Sequence, residues 1–340
     1  MYRFIYILLI LAIIVQADEN DDKYVLGEGY KLGSLPMYIG GYLSTDYQHN
    51  TDTKEDVFRV NDIAFLSYGS HSNFSYMAEI EFKELYVKAW GDHSKEELNS
   101  RLYIERFYVD YTLDEEYIFR LGKYNSPVGY WNLTPINVLR ETTSSPSTNY
   151  IIYPKYTSGL DLMYSYYNGY ELNVDLLLQN NEDLDAAYNN FITDKHFGFG
   201  IEFTDNDFSL KLNGGYFHLK EKILEYEDVY YALLSFKYDT ERFKIMGELG
   251  TQFCETKSTV PYSGYLQGVY RITEKHLPVI RFESHNSDIT NKLSPNIEKD
   301  DVLIMGYTYR PMYPVALKAE YQVHSVRREN KAVFSFSVLF

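Results

Sequence analysis

Charged side chains occupy alternate positions in many segments of this 340-residue sequence. Glu79 and Glu81 are two residues apart, and Lys318 and Glu320 show the same spacing. Because successive side chains of a β-strand point to opposite faces, this spacing puts both charges of a pair on one face. Carboxylate, ammonium and guanidinium groups gathered on one face attract ions and hydrated solutes. The spacing therefore predicts a charged, water-facing surface that acts on solutes through their charge.

No catalytic or cofactor motif accompanies these charges. The sequence has no G-x-S-x-G, H-E-x-x-H, C-x-x-C or P-loop pattern. Its eight histidines are scattered and lack the spacing of metal ligands. The segment 27–33, GEGYKLG, mimics a phosphate-binding loop, but no helical pattern follows it. We therefore expect no enzyme activity, no metal site and no cofactor.

β-Strands must position the charges, since apolar and polar residues alternate through most of the chain. In one such run Leu172, Val174 and Leu176 share a face, whereas Asn173 and Asp175 lie on the other. A period of two indicates strands, and helical periodicity is nearly absent. Tyr (36 residues) and Phe (20 residues) are abundant, which also favours strands. Sixteen runs of this kind predict an all-β fold.

Short and long connections alternate between the predicted strands. Short ones such as YNGY and TDND are rich in Gly, Asn and Asp, as tight hairpin turns require. This alternation places all short turns at one end of an up-and-down meander and all long loops at the other end. Membrane barrels are built in this way, with apolar side chains facing lipid and polar ones facing water. We predict a transmembrane antiparallel β-barrel of about 16 strands over residues 35–340, closed by pairing of the last strand with the first.

The N-terminus has the pattern of an export signal. Arg3 precedes an apolar run from Phe4 to Val15, and Ala17 precedes the acidic segment DENDD. A basic start, an apolar stretch and a small residue before the cleavage point are typical of secretory signal peptides. We predict a cleaved signal peptide over residues 1–17 and a periplasmic segment over residues 18–34 that leads into the barrel. Export and a membrane barrel together predict the outer membrane of a Gram-negative bacterium.

Strand phase identifies the charged side chains that face the barrel interior. A Lys or Arg at mid-depth on the lipid face costs about 2–4 kcal/mol, so charged strand residues are assigned to the inner face. Both signs of charge occur, so the preference for anions or cations stays open. The predicted pore-lining residues of the strands are Arg59, Glu79, Glu81, Arg120, Asp161, Asp175, Glu202, Lys211, Glu248, Arg281, Glu283, Lys318 and Glu320.

The segment 119–132, FRLGKYNSPVGYWN, resembles a strand and loop of Gram-negative outer-membrane porins, most closely those of the phosphate-selective O and P type. In those porins an Arg-x-Gly-Lys/Gln-Phe/Tyr strand leads into Pro-Phe/Val-Gly. The resemblance implies a homotrimeric channel for passive diffusion of small hydrophilic solutes or ions. The matching residues are Arg120, Gly122, Lys123, Tyr124, Pro127, Val128 and Gly129.

The longest predicted connection, residues 125–156, follows the fifth strand and is the third of the long loops. In porins this loop often folds into the barrel and narrows it, and the resemblance implies the same here. Its charged residues Arg140, Glu141 and Lys155 are therefore candidate constriction residues. The alternative is a loop that lies over the barrel mouth or packs on a neighbouring subunit.

The net charge of −16 argues against nucleic acid as a partner, because phosphate binding requires a basic surface. The expected partners are outer-membrane lipid and lipopolysaccharide, two further copies of the chain and small hydrophilic solutes. Two alternatives stay open. One is an outer-membrane barrel with a hydrolase or adhesin role. The other is a secreted all-β carbohydrate-binding protein, in which the apolar strand faces pack against each other.

Overall fold

The computed structural model describes residues 24–33, 35–91, 94–220, 227–254, 258–286, 299–327 and 329–340. The predicted signal peptide, residues 1–17, and the first residues of the predicted periplasmic segment lie outside this part of the chain. Within it, no helix is both long enough and apolar enough to cross a membrane.

Sixteen strands form one closed barrel, as the sequence predicts. Each strand pairs in antiparallel fashion with the next strand along the chain. The last strand pairs with the first, with Phe334 opposite Tyr47. Closure leaves no free sheet edge and rules out the two-sheet sandwich of the secreted alternative. The strands are β1 (Met37–Asn50), β2 (Asp56–His71), β3 (Phe74–Trp90), β4 (Leu102–Thr112), β5 (Tyr117–Asn125), β6 (Tyr156–Tyr167), β7 (Glu171–Gln179), β8 (Thr193–Asp205), β9 (Phe208–Leu219), β10 (Asp228–Asp239), β11 (Phe243–Cys254), β12 (Ser258–Tyr270), β13 (His276–Asn286), β14 (Lys299–Met312), β15 (Val315–His324) and β16 (Lys331–Leu339).

The two faces of the barrel wall differ in chemistry as the alternation predicts. On β15, Lys318 and Glu320 point inward and are buried, whereas Leu317, Tyr321 and Val323 are exposed on the outside. The same alternation recurs around the barrel and gives it an outer surface of Leu, Ile, Phe and Tyr side chains. An apolar outer surface is stable in hydrocarbon, and the inner face is left for water and polar groups.

Aromatic rings gather where the short turns join the strands. Tyr38 stacks on Tyr68 with 5.3 Å between ring centroids, and Phe243 lies 5.0 Å from Tyr270. Tyr and Trp side chains are favourable at membrane–water interfaces, where one end of the ring is apolar and the other is wet. These rings therefore mark the membrane boundary at this end of the barrel, called the turn end below.

The first described residues, from Tyr24 on, lie at the turn end together with Phe340. Short strands Tyr24–Val25 and Gly29–Lys31 pair with each other, and the second extends the sheet beside β1. The amide of Gly41 donates to the carbonyl of Phe340 at 2.7 Å, and the amide of Phe340 donates to the carbonyl of Gly41 at 2.8 Å. These bonds explain why the sequence keeps an alternating apolar pattern to its last residue: the final strand is a full member of the closed sheet.

Candidate functional site

The connection between β5 and β6, residues 126–155, lies inside the barrel and is called the inner loop below. It contains a 3₁₀ turn, Asn137–Leu139, and one helical turn, Thr148–Ile151. Its first anchor is Glu248 on β11, which accepts the backbone N–H of Tyr130 at 2.6 Å and that of Trp131 at 2.9 Å. Since β11 lies far from β5 and β6 around the barrel, these bonds require the loop to cross the interior.

Further inward-facing carboxylates hold the second half of the inner loop. Glu320 on β15 accepts the N–H of Thr143 and the hydroxyl of Ser144, the latter at 2.6 Å. Glu283 on β13 accepts the N–H of Ser147 at 3.1 Å. Backbone amides of an irregular loop need partners when they are removed from water. The inner-face carboxylates predicted from strand phase supply these partners.

Arg281 is the central cation of this anchoring network, and its side chain is fully buried. Its guanidinium donates to Glu283 at 2.7 Å and to Thr142 Oγ1 at 2.6 Å. It also donates to the carbonyl and the hydroxyl of Ser144, at 3.0 and 2.8 Å. A guanidinium has five N–H donors in a fixed plane, so one arginine can hold several acceptors of an irregular loop. Arg281 thus joins the wall to the inner loop.

Lys318 fixes the 3₁₀ turn of the inner loop. Its ammonium donates to Asn137 Oδ1 at 2.7 Å and also to the carbonyl of Asn137. Arg310 on β14 donates to the carbonyl of Arg140 at 3.0 Å. The loop backbone is therefore bonded to charged groups of both signs.

Two cavities lie on opposite sides of the inner loop. The larger, about 730 Å³, opens toward the long-loop end and is lined by residues such as His324 and Lys331. The smaller, about 270 Å³, lies toward the turn end beside Asp239 and Lys244. Arg140 lines both cavities. The Arg140 side chain therefore stands at the boundary between the two halves of the interior.

Four cations of the larger cavity have no carboxylate within 4.0 Å among the described residues: Lys83, Arg140, Lys155 and Lys331. The first three lie against aromatic rings instead, with Lys83 4.9 Å from the centroid of Tyr188, Arg140 5.4 Å from that of Trp131 and Lys155 5.3 Å from that of Tyr150. Burial lowers the pKa of the Lys155 ammonium; Tyr150 opposes this shift, and the charges of Lys83 and Arg140 add to it. These cations are free to act on a solute that enters the cavity.

A buried group of carboxylates lies on the wall beside these cations. Oxygens of Glu79, Glu81 and Glu105 lie within 4.8 Å of one another. Arg106 pairs with Glu79, and Tyr188 of the loop 180–192 donates to Glu81 Oε1 at 2.9 Å. The interior thus presents positive and negative groups side by side on the lining of one cavity.

The structure distributes the predicted site residues over several places. Arg59, Glu81, Arg140, Lys155 and Glu283 line the larger cavity. Glu141 and Glu202 line the smaller one with Arg140. The loop anchors are Glu248, Arg281, Glu283, Lys318 and Glu320, and the remaining residues form wall contacts. Arg120 pairs with Asp110 at 2.7 Å, and the buried Asp161 lies beside Arg120 on the neighbouring strand. Lys211 lies 3.8 Å from Asp175 and 3.7 Å from Glu202. Glu79 pairs with Arg106.

Sequence reasoning missed Glu105 and Arg106 because both face inward although they are adjacent. A β-bulge in β4 causes this. Glu79 pairs with Arg106, whereas the next residue, Ile80, pairs with Ile104, so Glu105 is the extra residue of the bulge. Two neighbouring charges in an otherwise alternating strand are the signal that could have revealed the bulge. Lys123 was also missed; its ammonium donates to the carbonyl of Asp185 at 2.9 Å and ties the loop 180–192 to the wall.

We expect the variant Glu320→Ala to loosen the middle of the inner loop. Losing hydrogen bonds to a buried carboxylate costs about 1.5–3 kcal/mol, so the released form should become roughly ten- to a hundredfold more populated. Current through single molecules in a lipid bilayer should then fluctuate more often between levels. Glu171→Ala, which removes an exposed carboxylate at the turn end, is the control. Equal fluctuation in both variants would contradict the anchoring role.

Several solved structures share this architecture. The outer membrane channel DcaP of Acinetobacter baumannii aligns over 92% of this chain and 100% of its own, with a TM-score of 0.59 and 10% identity. OmpF of Salmonella typhi aligns over 89% and 97%, with a TM-score of 0.60 and 10% identity. An anion-selective porin from Comamonas acidovorans aligns over 89% and 99%, with a TM-score of 0.59 and 10% identity.

Sequence comparisons do not assign the chain to a protein family. No protein-family model matches the chain, and no curated protein matches it significantly. At about a tenth of positions identical, the structural similarity shows the fold and leaves the activity open. The chain is a closed, sixteen-stranded antiparallel barrel with the fold of outer-membrane porins.

Proposed function

We propose that this protein is an outer-membrane porin through which small hydrophilic solutes or ions diffuse passively. The observation that carries the proposal is the inner loop, which crosses the barrel and separates two cavities with Arg140 common to both. A barrel that serves only as an anchor for external loops has no need to line its interior with uncompensated charge. A constricted channel uses such charge to sort solutes.

The charges around the constriction support selection of solutes by electrostatics. Lys83, Arg140 and Lys155 present positive charge, and Glu81 and Glu105 present carboxylates on the same lining. Positive and negative groups close together on the wall of a bore create a local field, which orients dipolar solutes and hinders apolar ones. The channel needs neither a cofactor nor a catalytic group for this function.

The cellular setting belongs to the same proposal. Residues 1–17 direct export, residues 18–34 precede the barrel in the periplasm, and the apolar outer surface contacts outer-membrane lipid and lipopolysaccharide. The neighbour OmpT of Vibrio cholerae has been solved in a trimer form, and we propose a homotrimer here as well. The phosphate-selective type suggested by the segment 119–132 stays a proposal within the broader group of porins.

Liposome swelling tests passive diffusion directly. Vesicles containing the purified protein should swell in isotonic solutions of small uncharged sugars, at rates that fall steeply as the sugar becomes larger. Boiled protein that no longer migrates as a folded barrel is the control. Vesicles that stay impermeable to the smallest sugars would contradict the proposal and favour the hydrolase or adhesin alternative.

A further inference from the structure

Two histidines at the long-loop end of the barrel have unused ring nitrogens inside the protein. His285, near the end of β13, is only 5% exposed, and neither its Nδ1 nor its Nε2 has a hydrogen-bond partner among the residues that the structure describes. His196, which is equally buried, shows the contrast. Its Nδ1 lies 2.9 Å from Thr157 Oγ1, and its Nε2 lies 2.9 Å from the hydroxyl of Tyr231. A buried histidine with a purely structural role is thus bonded at both nitrogens in this protein, and His285 is bonded at neither.

His324 offers a second ring nitrogen, and the tautomer of its neutral ring is set by a neighbouring carboxylate. Its Nδ1 lies 2.7 Å from Oδ2 of the buried Asp300, so the proton of the neutral ring resides on Nδ1 and is donated to the carboxylate. The Nε2 atom then carries a lone pair, and it is buried without a partner in the described part of the chain. A carboxylate that orients an imidazole in this way is the usual outer-shell partner of a metal-ligating histidine.

The strand register places both histidines beside Asp300. His285 is opposite Asp300 in the pairing of β13 with β14. His324, on β15, reaches the same carboxylate from the other side. Both histidines line the larger cavity, together with Glu283. The guanidinium of Arg327 is directed toward carboxylates, with Nη1 3.7 Å from Glu329 and Nε 4.0 Å from Asp300.

We propose that His285 and His324 bind a divalent transition-metal ion such as Zn²⁺ at the long-loop end of the barrel interior. Imidazole nitrogens suit Zn²⁺, Cu²⁺ and Ni²⁺, whereas Mg²⁺ and Ca²⁺ prefer oxygen ligands. Asp300 holds the His324 ring, and water completes the coordination. The metal-ligand spacing is absent from the sequence because the two histidines come from different strands, which antiparallel pairing through β14 brings together. An ion at this position narrows the larger cavity; this consequence rests on the proposed channel function, whereas the binding itself does not.

Calorimetric titration of the purified barrel in detergent with Zn²⁺ tests the site without reference to transport. We expect saturable Zn²⁺ binding that survives excess Mg²⁺. His285→Ala and His324→Ala should each weaken it at least tenfold, and Asp300→Asn should weaken it about 10- to 100-fold. Heat-modifiable migration on a gel verifies that each variant is a folded barrel, and His285→Gln and His324→Gln replace any alanine variant that does not fold.

His49→Ala and His218→Ala are the matched controls. Both histidines lie near long loops. The Nδ1 atom of His49 lies 2.8 Å from Asp56 Oδ1, and that of His218 lies 2.8 Å from Asp194 Oδ1. Unchanged Zn²⁺ binding in these controls, with loss in the His285 and His324 variants, supports the site. Absence of Zn²⁺ binding in the unmodified protein, or equal loss in all four variants, overturns it. A protein that binds Zn²⁺ at these two histidines but leaves vesicles impermeable would contradict the channel function and still support the metal site.

Discussion

Arg140→Glu should shift the ion selectivity of the channel strongly toward cations. Arg140 lines both cavities, so permeating ions pass close to its guanidinium. One charge acting over a few ångströms in water changes an ion's energy by about 0.5–1 kcal/mol, and the substitution changes the side-chain charge by two. Cation permeability should therefore rise and anion permeability fall by roughly 5- to 30-fold each, so their ratio should rise roughly 30- to 900-fold. Reversal potentials in a salt gradient measure this ratio.

Two further variants separate charge from loop structure. The Arg140 side chain also donates to the carbonyl of Thr134 at 2.6 Å and to Ser145 Oγ at 3.2 Å, so Arg140→Gln removes the charge and keeps an amide donor. Its selectivity should lie between those of the unmodified protein and Arg140→Glu. Arg242→Glu makes the same charge change on an exposed residue of a turn. If Arg140→Glu and Arg242→Glu gave equal reversal potentials, Arg140 would not stand in the ion path.

Arg281→Ala should destabilise the folded protein more than any substitution of an exposed cation. It removes the guanidinium that bonds Thr142 and Ser144 of the inner loop and leaves the Glu283 carboxylate buried without its cation. Removing one partner of a buried ion pair costs about 3–5 kcal/mol. We expect a lower midpoint of thermal unfolding in detergent and faster proteolytic cleavage of the inner loop.

The double variant Arg281→Met/Glu283→Leu tests the cause of that loss. Replacing both members of a buried ion pair by apolar side chains of similar size is often nearly neutral. The double variant should therefore recover much of the unfolding midpoint while the inner loop stays more accessible to protease, because its acceptors still lack the guanidinium. A double variant as unstable as Arg281→Ala would mean that bonds to the loop, and not the buried Glu283 charge, dominate the effect.

The strands of this barrel could be predicted because hydrocarbon imposes a strict rule on the outer face. Every second residue of β15 must be apolar, so Leu317, Tyr321 and Val323 identify both the strand and its phase. The same rule bounds the inner loop, since β5 ends at Asn125 and β6 begins at Tyr156. Phase also places Lys318 and Glu320 on the inner face.

The hydrogen-bond partners of the inner-face residues could not be predicted from strand phase. The alternation indicates that Glu248, Arg281 and Glu320 face inward, but it does not indicate that backbone groups of the loop, and not water, are their partners. Those contacts join residues more than 100 positions apart and depend on the irregular path of the inner loop. Glu105 was missed for a different reason, since the bulge in β4 breaks the period on which the prediction depends.

The conductance of single molecules in a planar lipid bilayer tests most directly whether water fills this barrel on both sides of the inner loop. The unmodified protein should give discrete steps of current. A variant in which a short Gly-Ser linker replaces residues 133–150 should give steps several times larger, because the loop is the main obstacle inside a barrel of this width. Steps of equal size in both proteins, or no steps in either, would contradict the account.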